Sequence, residues 1–359
     1  MSRRVRRRAA RADISTEAEP GAAARGSKPL QDNDERRIMS TQTAQEELIQ
    51  FLSDMYSIEQ QALAQLKTAP ESAGDDAFAS MLRQHYVETE DQANLVRDRL
   101  EAQGGSPSAV KDAIMRIGGK GFLTFARAQP ETPGKLLAHA YSYEAMEWAG
   151  YQMLIRIAER AGDEETVATA RAIAAEERMM MERLDSVYDQ AEQASHRGML
   201  PQDVANHLSI HVKDAHALES QSAKLLEKSE EIASSERLRE LYRGHLEETR
   251  EQARRLEERL AKMRSVESKV KDATPALGGI NWGMFFQAQS DTPCKLAAFA
   301  YAMEHLEIAG YELLKRSAEG AQDAETIALC DEILAEERGM ARRLEHAFDD
   351  AVAATVETS

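Results

Sequence analysis

The chain has 359 residues, with 62 acidic against 45 basic side chains, a net charge of −17, two cysteines, nine prolines and 5% aromatics. That length suggests two domains, each with a core of its own, and two cysteines exclude a disulfide framework or a Cys-rich zinc or iron–sulfur site. The acid excess argues against a nucleic-acid-binding body. The lack of any 18-residue apolar run in the sequence argues against a membrane-spanning helix.

Residues 1–40 carry ten basic and six acidic groups, which leaves 35 basic and 56 acidic beyond them. Rich in Arg, Ala, Gly and Pro and poor in large apolar residues, this stretch reads as a disordered basic tail, with Met39 as an alternative start. No apolar run follows the arginines to make a secretory signal. Low cysteine use fits a reducing, cytoplasmic setting.

Beyond the tail the sequence repeats itself. A shift of 160 residues lays 42–191 on 202–351 without a gap, with 57 of 150 positions identical. Asp54–Glu59 falls on Asp214–Glu219, Arg83–Gln92 on Arg243–Gln252, and the YxxExxExAGY run of 141–151 on 301–311. A period this long means two copies of a domain, because solenoid units repeat every ~20–50 residues. The expected organisation is one copy at 41–192, a linker at 193–206 and a second copy at 207–353, packed against each other as a pseudo-dimer.

In the first copy, helices are expected near 45–68, 76–103, 135–161 and 164–192. Breaks fall at Pro70, at Gly104-Gly105, at Pro130 and Pro133, and at Gly162-Asp163. The long segment between the second and third helices is expected to hold short helical turns. Short, long, short connections describe an all-α protein of two tandem ferritin-like four-helix bundles, each with one long crossover.

Each helix carries an apolar stripe at steps of three and four, and in every one a carboxylate interrupts it near mid-length. The interruptions are Glu59 on the first helix, Glu88 with His85 on the second, Glu144 and Glu147 on the third, and Glu177 on the fourth. The second copy repeats them as Glu219, Glu248 with His245, Glu304, Glu307 and Glu337. Burying an isolated carboxylate costs several kcal/mol, and several converging in one bundle would repel one another. The stripes carry no arginine at that level. Hard carboxylate oxygens with an imidazole suit iron or manganese, so these twelve residues are the candidate metal ligands. Any single Glu could instead stand at the stripe's edge and face water.

The DMYSIEQQ, HYVETEDQ, YSYEAMEWAGY and AAEERMM segments resemble the YciF-like branch of ferritin-like proteins, bacterial stress-associated proteins with a four-helix dimetal fold. The ExxE of Glu144/Glu147 and Glu304/Glu307 is also similar to that of rubrerythrin. The resemblance implies a di-iron or di-manganese carboxylate site in each half, acting on O2 or peroxide to oxidise Fe(II) or remove peroxide under stress. The chain departs from the rubrerythrin pattern at Asp91 and Met180, where that pattern has histidines. The alternative is a non-catalytic helical-bundle interaction protein with degenerate metal sites. The expected partner is the chain itself, as a homo-oligomer beyond the pseudo-dimer, with no membrane.

The remaining residues give weaker signals. Tyr151 and Tyr311, one turn beyond the ExxE, read as core tyrosines or as partners of a ligand carboxylate. Gln92 and Gln252 read as amides supporting a ligand or as surface side chains. Met179–Met181 reads as filler. Cys294, with no partner thiol, reads as a spectator.

Overall fold

The computed structural model describes residues 28–107, 132–197, 201–266 and 293–358. Among these the secondary structure is helical throughout: α1 (Lys28–Leu66), α2 (Asp76–Ala102), α3 (Thr132–Ala161), α4 (Glu164–Asp185), α5 (Tyr188–Ser195), α6 (Pro201–Ile232), α7 (Glu236–Val266), α8 (Pro293–Gly320), α9 (Ala324–His346) and α10 (Phe348–Thr358), with a 3-10 turn at Ala69–Ser72. The chain divides into a unit of Met1–Met39 and a compact unit of Ser40–Ser359. Of the expected disordered tail at 1–40, residues 1–27 lie outside the described residues and 28–40 belong to α1; both crossovers, with their expected helical turns, also lie outside the described residues.

α1 starts at Lys28, earlier than the expected 45. Pro29 sits at the start of the helix, where its missing N–H costs nothing, and neither Gly nor Pro follows until Pro70. α2 begins on the carboxylate of Asp75, which accepts from the backbone N–H groups of Ala77 and Phe78 at 2.9 and 3.0 Å. The α3–α4 turn uses Gly162 at φ +76°, a left-handed position that glycine adopts without strain. The matching α8–α9 turn places Gln322 there at φ +56°. α5 ends at Ser195 and α6 begins at Pro201, both inside the expected linker of 193–206.

The expected fourth helix is two helices, α4 and α5, broken at Ser186–Val187. No Gly or Pro marks the break; tertiary contacts set it. Val187 and Tyr188 turn inward, Tyr188 packs edge-on to Tyr141 at 6.1 Å, and the Arg316 guanidinium lies 5.0 Å over its ring. The kink thus delivers α5 onto α8 of the other half.

An arginine clamps each bundle. Arg99, near the end of α2, donates to Thr166 Oγ1 (3.0 Å) and Asp163 Oδ1 (2.9 Å), holding the cap of α4. Arg259 repeats this with Thr326 Oγ1 (2.8 Å) and Asp323.

α3 and α8 meet across a seam with approximate two-fold logic. Ser142 Oγ donates to the carbonyl of its counterpart Ala302 at 2.7 Å, and Trp148 packs on Tyr301 at 5.2 Å. Lys135 pairs with Asp214 at 3.3 Å while Lys295 pairs with Asp54 at 2.6 Å, reciprocal ion pairs exchanged between the halves. Arg156–Asp349 (2.9 Å) and Arg316–Asp189 (2.7 Å) repeat the exchange at the rim. Each half closes the start of its third helix in the same way: Gly134 N–H donates to Ser195 Oγ (2.9 Å) and Cys294 N–H to Thr355 Oγ1 (3.0 Å). No described helix is long and apolar enough to cross a membrane.

Candidate metal centres

In the first half the stripes of α1, α3 and α4 point their carboxylates at one another. Glu59, Glu144, Glu147 and Glu177 are 0, 3, 1 and 0% exposed, and His85 on α2 is 1% exposed. His85, Glu144 and Glu177 each offer an atom within 4.8 Å of the others. His85 Nε2 stands 3.0 Å from Glu144 Oε2. Tyr151 donates its hydroxyl to Glu59 Oε1, so it acts as a partner of a site carboxylate as well as a core tyrosine. Among the described residues no hydrogen-bond donor reaches Glu59 Oε2, Glu147 Oε1 or either oxygen of Glu177.

Glu88 does not join them. It is partly exposed, and Arg183 Nη1 holds both its oxygens at 3.1 and 3.0 Å. In the sequence Arg183 lies off the stripe, next to Leu184, but its long side chain reaches across to α2. The stripes themselves carry no arginine at that level, but this one reaches it from outside them. The bond from His85, then Arg183 and Gln84, hold the Glu88 carboxyl down at about 2.

The second half repeats the buried set with different wiring. Glu219, Glu304, Glu307 and Glu337 are each 1% exposed, and Glu304, Glu307 and Glu337 offer atoms within 4.8 Å of one another. Tyr311 Oη donates to Glu219 Oε1 at 2.5 Å, and His245 Nε2 stands 2.6 Å from Glu304 Oε1. Gln252 donates to Glu337 and, at 3.1 Å, to Glu336, whereas Gln92 donates only to Glu176 among the described residues, at 3.0 Å. Both glutamines are buried, and only the second supports a site carboxylate directly. Glu248 is exposed, tied to Arg343 and 4.0 Å from His245 Nδ1.

Burial dominates the electrostatics. It pushes Glu59 and Glu304 up to about 8 and raises Glu147, Glu177, Glu219, Glu307 and Glu337 well above the usual carboxylate range, with mutual repulsion adding to the rise for all of these except Glu304. Burial alone would lower His85, yet Glu144 and Glu88 carry it up to about 10. His245, with Glu248 farther away, is lowered by burial. Without cations, the centres hold protons at neutral pH. Cations replacing those protons would satisfy the donor-less oxygens, so the residues present fit metal binding.

The other sequence candidates sort plainly. Met180 and Met181 are buried and Met179 is exposed, as filler would be. Cys294 and Cys330 are free and buried, and burial pushes both thiols up to about 12. A cleft lined by His211, Asp214, Gln221, Glu307 and Tyr311 among others leads from the surface towards the second centre. The sequence reading missed the Asp54–Lys295 and Asp214–Lys135 pairs, although both partners stand in repeated motifs. It also missed a cluster of Glu192, His196 and His211.

No solved structure matches the chain. The family described as a domain of unknown function (DUF892) matches twice, over residues 43–196 and 204–357. Those spans cover both bundles and both buried centres, so the chain belongs to this ferritin-like family and carries its domain in tandem.

Proposed function

We propose that each half holds a pair of iron ions, or manganese ions, and that the protein serves a YciF-like stress response by oxidising Fe(II) or removing peroxide in the cytoplasm. Glu59, His85, Glu144, Glu147 and Glu177 would hold the metals of the first half, and Glu219, His245, Glu304, Glu307 and Glu337 those of the second. A bound iron pair supplies electron transfer to O2 or peroxide. The chain's own groups do the rest. Tyr151 and Tyr311 orient Glu59 and Glu219 through their hydroxyls, and the apolar stripes exclude bulk water. Glu88 and Glu248, engaged by arginines, steer the histidines from the rim without entering the ligand set.

The observation that carries this reading is the set of buried carboxylate oxygens that no donor reaches. Such groups stay unpaired only at a high cost, which cations remove. The test is metal analysis of the full chain after anaerobic Fe(II) loading, with its optical spectrum on peroxide addition. Fewer than about one metal per chain would refute the proposal, since a buried donor set of this charge should bind tightly. The second reading, a non-catalytic interaction bundle, draws on the capture of Glu88 and Glu248 by arginine. It expects Glu144→Gln/Glu147→Gln to raise thermal stability with no loss of metal.

A further inference from the structure

We propose that Glu192, His196 and His211, with His207 beside them, form a binding site for a divalent transition-metal ion of the zinc class at the junction of the two halves. The site is separate from the buried centres. Glu192 and His196 are four residues apart at the end of α5; His207 and His211 are four residues apart near the start of α6. That spacing puts both members of each pair on one helix face, so two helices each present a two-residue grip. Glu192, His196 and His211 each offer a ligand atom within 4.8 Å of the others. The His196 ring lies edge-on to both partners, 6.0 Å from the His207 ring and 6.3 Å from the His211 ring. Three imidazoles and a carboxylate are a donor set that zinc takes readily, with nickel and copper as competitors.

The arrangement is supported from behind and open in front. Ser317, on α8, donates to Glu192 and fixes that carboxylate. The His196 side chain is 21% exposed, and the cleft lined by Glu192 and His211 gives an ion a path in.

The repeat supplies an internal comparison. The 160-residue shift turns Glu192 and His196 into Val352 and Val356, and maps His207 and His211 onto Glu47 and Phe51. Ser317 corresponds to Ile157, so the matching seam is apolar, with Ile157 and Val352 in one core cluster. The donor set therefore arises only at the covalent junction, where an ion would tie α5 of the first half to α6 of the second across residues 196–207.

The test uses the full chain with histidine labelled by nitrogen-15, titrated with Zn2+ at pH 7.5 and followed through the imidazole ring signals. Zinc content is compared between the native chain and His196→Ala/His211→Ala by equilibrium dialysis. The ring signals of His196 and His211 should move on zinc addition, and the variant should bind one equivalent less while the buried centres keep their uptake. Ring signals that stay fixed in excess zinc, or a variant with the native stoichiometry, would overturn the assignment. If the cluster is only a His196–Glu192 ion pair, which needs His196 protonated, the rings will ignore zinc at this pH.

Discussion

Raising the pH from 6.5 to 8 should destabilise the metal-free chain. Burial holds Glu59 and Glu304 at about 8, against 4.5 for the free side chain. A carboxyl raised in this way keeps a proton that the unfolded chain has shed. Its contribution is therefore full below pH 4.5 and is lost as the pH climbs through 8. Over a span of about 1.5 pH units, at about 1.4 kcal/mol per unit, each group loses about 2 kcal/mol, or about 4 kcal/mol for the two. Glu147, Glu177, Glu219, Glu307 and Glu337 are raised further and push the same way. His85, raised to about 10, adds to the fall above pH 6.5. The opposing groups act elsewhere. His139 at about 3, His305 at about 4 and the lowered His245 cost stability only as the pH drops below 6.5, and Glu88 at about 2 only below 4.5. For a unit of this size about 4 kcal/mol corresponds to a fall in Tm of roughly 6–8 °C. Calorimetry of chelator-treated protein measures it. Saturating Fe(II) or Mn(II) should reverse the slope, because binding requires ionised carboxylates. A metal-free Tm that is flat or higher at pH 8 would refute the burial argument.

Three further outcomes are expected. Tyr151→Phe removes the hydroxyl that donates to Glu59 while leaving the ring in place, so the metal-free chain should lose about 1–3 kcal/mol in urea unfolding at pH 8, with a smaller loss at pH 5, where Glu59 is protonated in both chains. Glu88→Gln should leave the iron content unchanged, whereas Glu147→Gln should lower it, because Glu88 is committed to Arg183 at the rim; elemental analysis of both loaded variants checks this. Lys135→Met leaves the buried Asp214 without its lysine and should cost about 3–5 kcal/mol in denaturant unfolding, as should Lys295→Met opposite Asp54; a cost below about 1 kcal/mol for both would show that these pairs do not hold the halves together.

Much of this molecule was legible in its sequence because the repeat reads every helix twice. Glu59, Glu144, Glu147 and Glu177 stood in apolar stripes in both copies, and all are buried. Stripe membership failed at Glu88, because a residue at a stripe's edge goes in or out according to its neighbour on another helix, and Arg183 decided it. The break at Ser186–Val187 was equally hidden, since it answers to Tyr141 and Arg316 and to no local Gly or Pro. The junction cluster escaped for a different reason. Its residues do not recur across the shift, and comparing the two copies favours what they share.

The differences between the copies carry separate information. Both centres confine four carboxylates and one histidine, and each meets the same cost of burying like charges. The first half meets it with a charged group: Glu88 lies 3.5 Å from His85 Nδ1, and together with Glu144 it keeps the imidazole protonated. In the second half Glu248 has moved to 4.0 Å and into the grip of Arg343, so His245 stays neutral, while Gln252 donates to Glu337 in addition to Glu336, the counterpart of the Glu176 to which Gln92 donates. An imidazole must shed its proton before its nitrogen can ligate, so loading the first centre takes a proton from its histidine, a step the second centre does not need. A cleft also reaches Glu307 of the second centre. The duplication has therefore produced two centres with the same carboxylates and differently charged histidines, set by a rim glutamate that moved by half an ångström, while a glutamine gained a second partner.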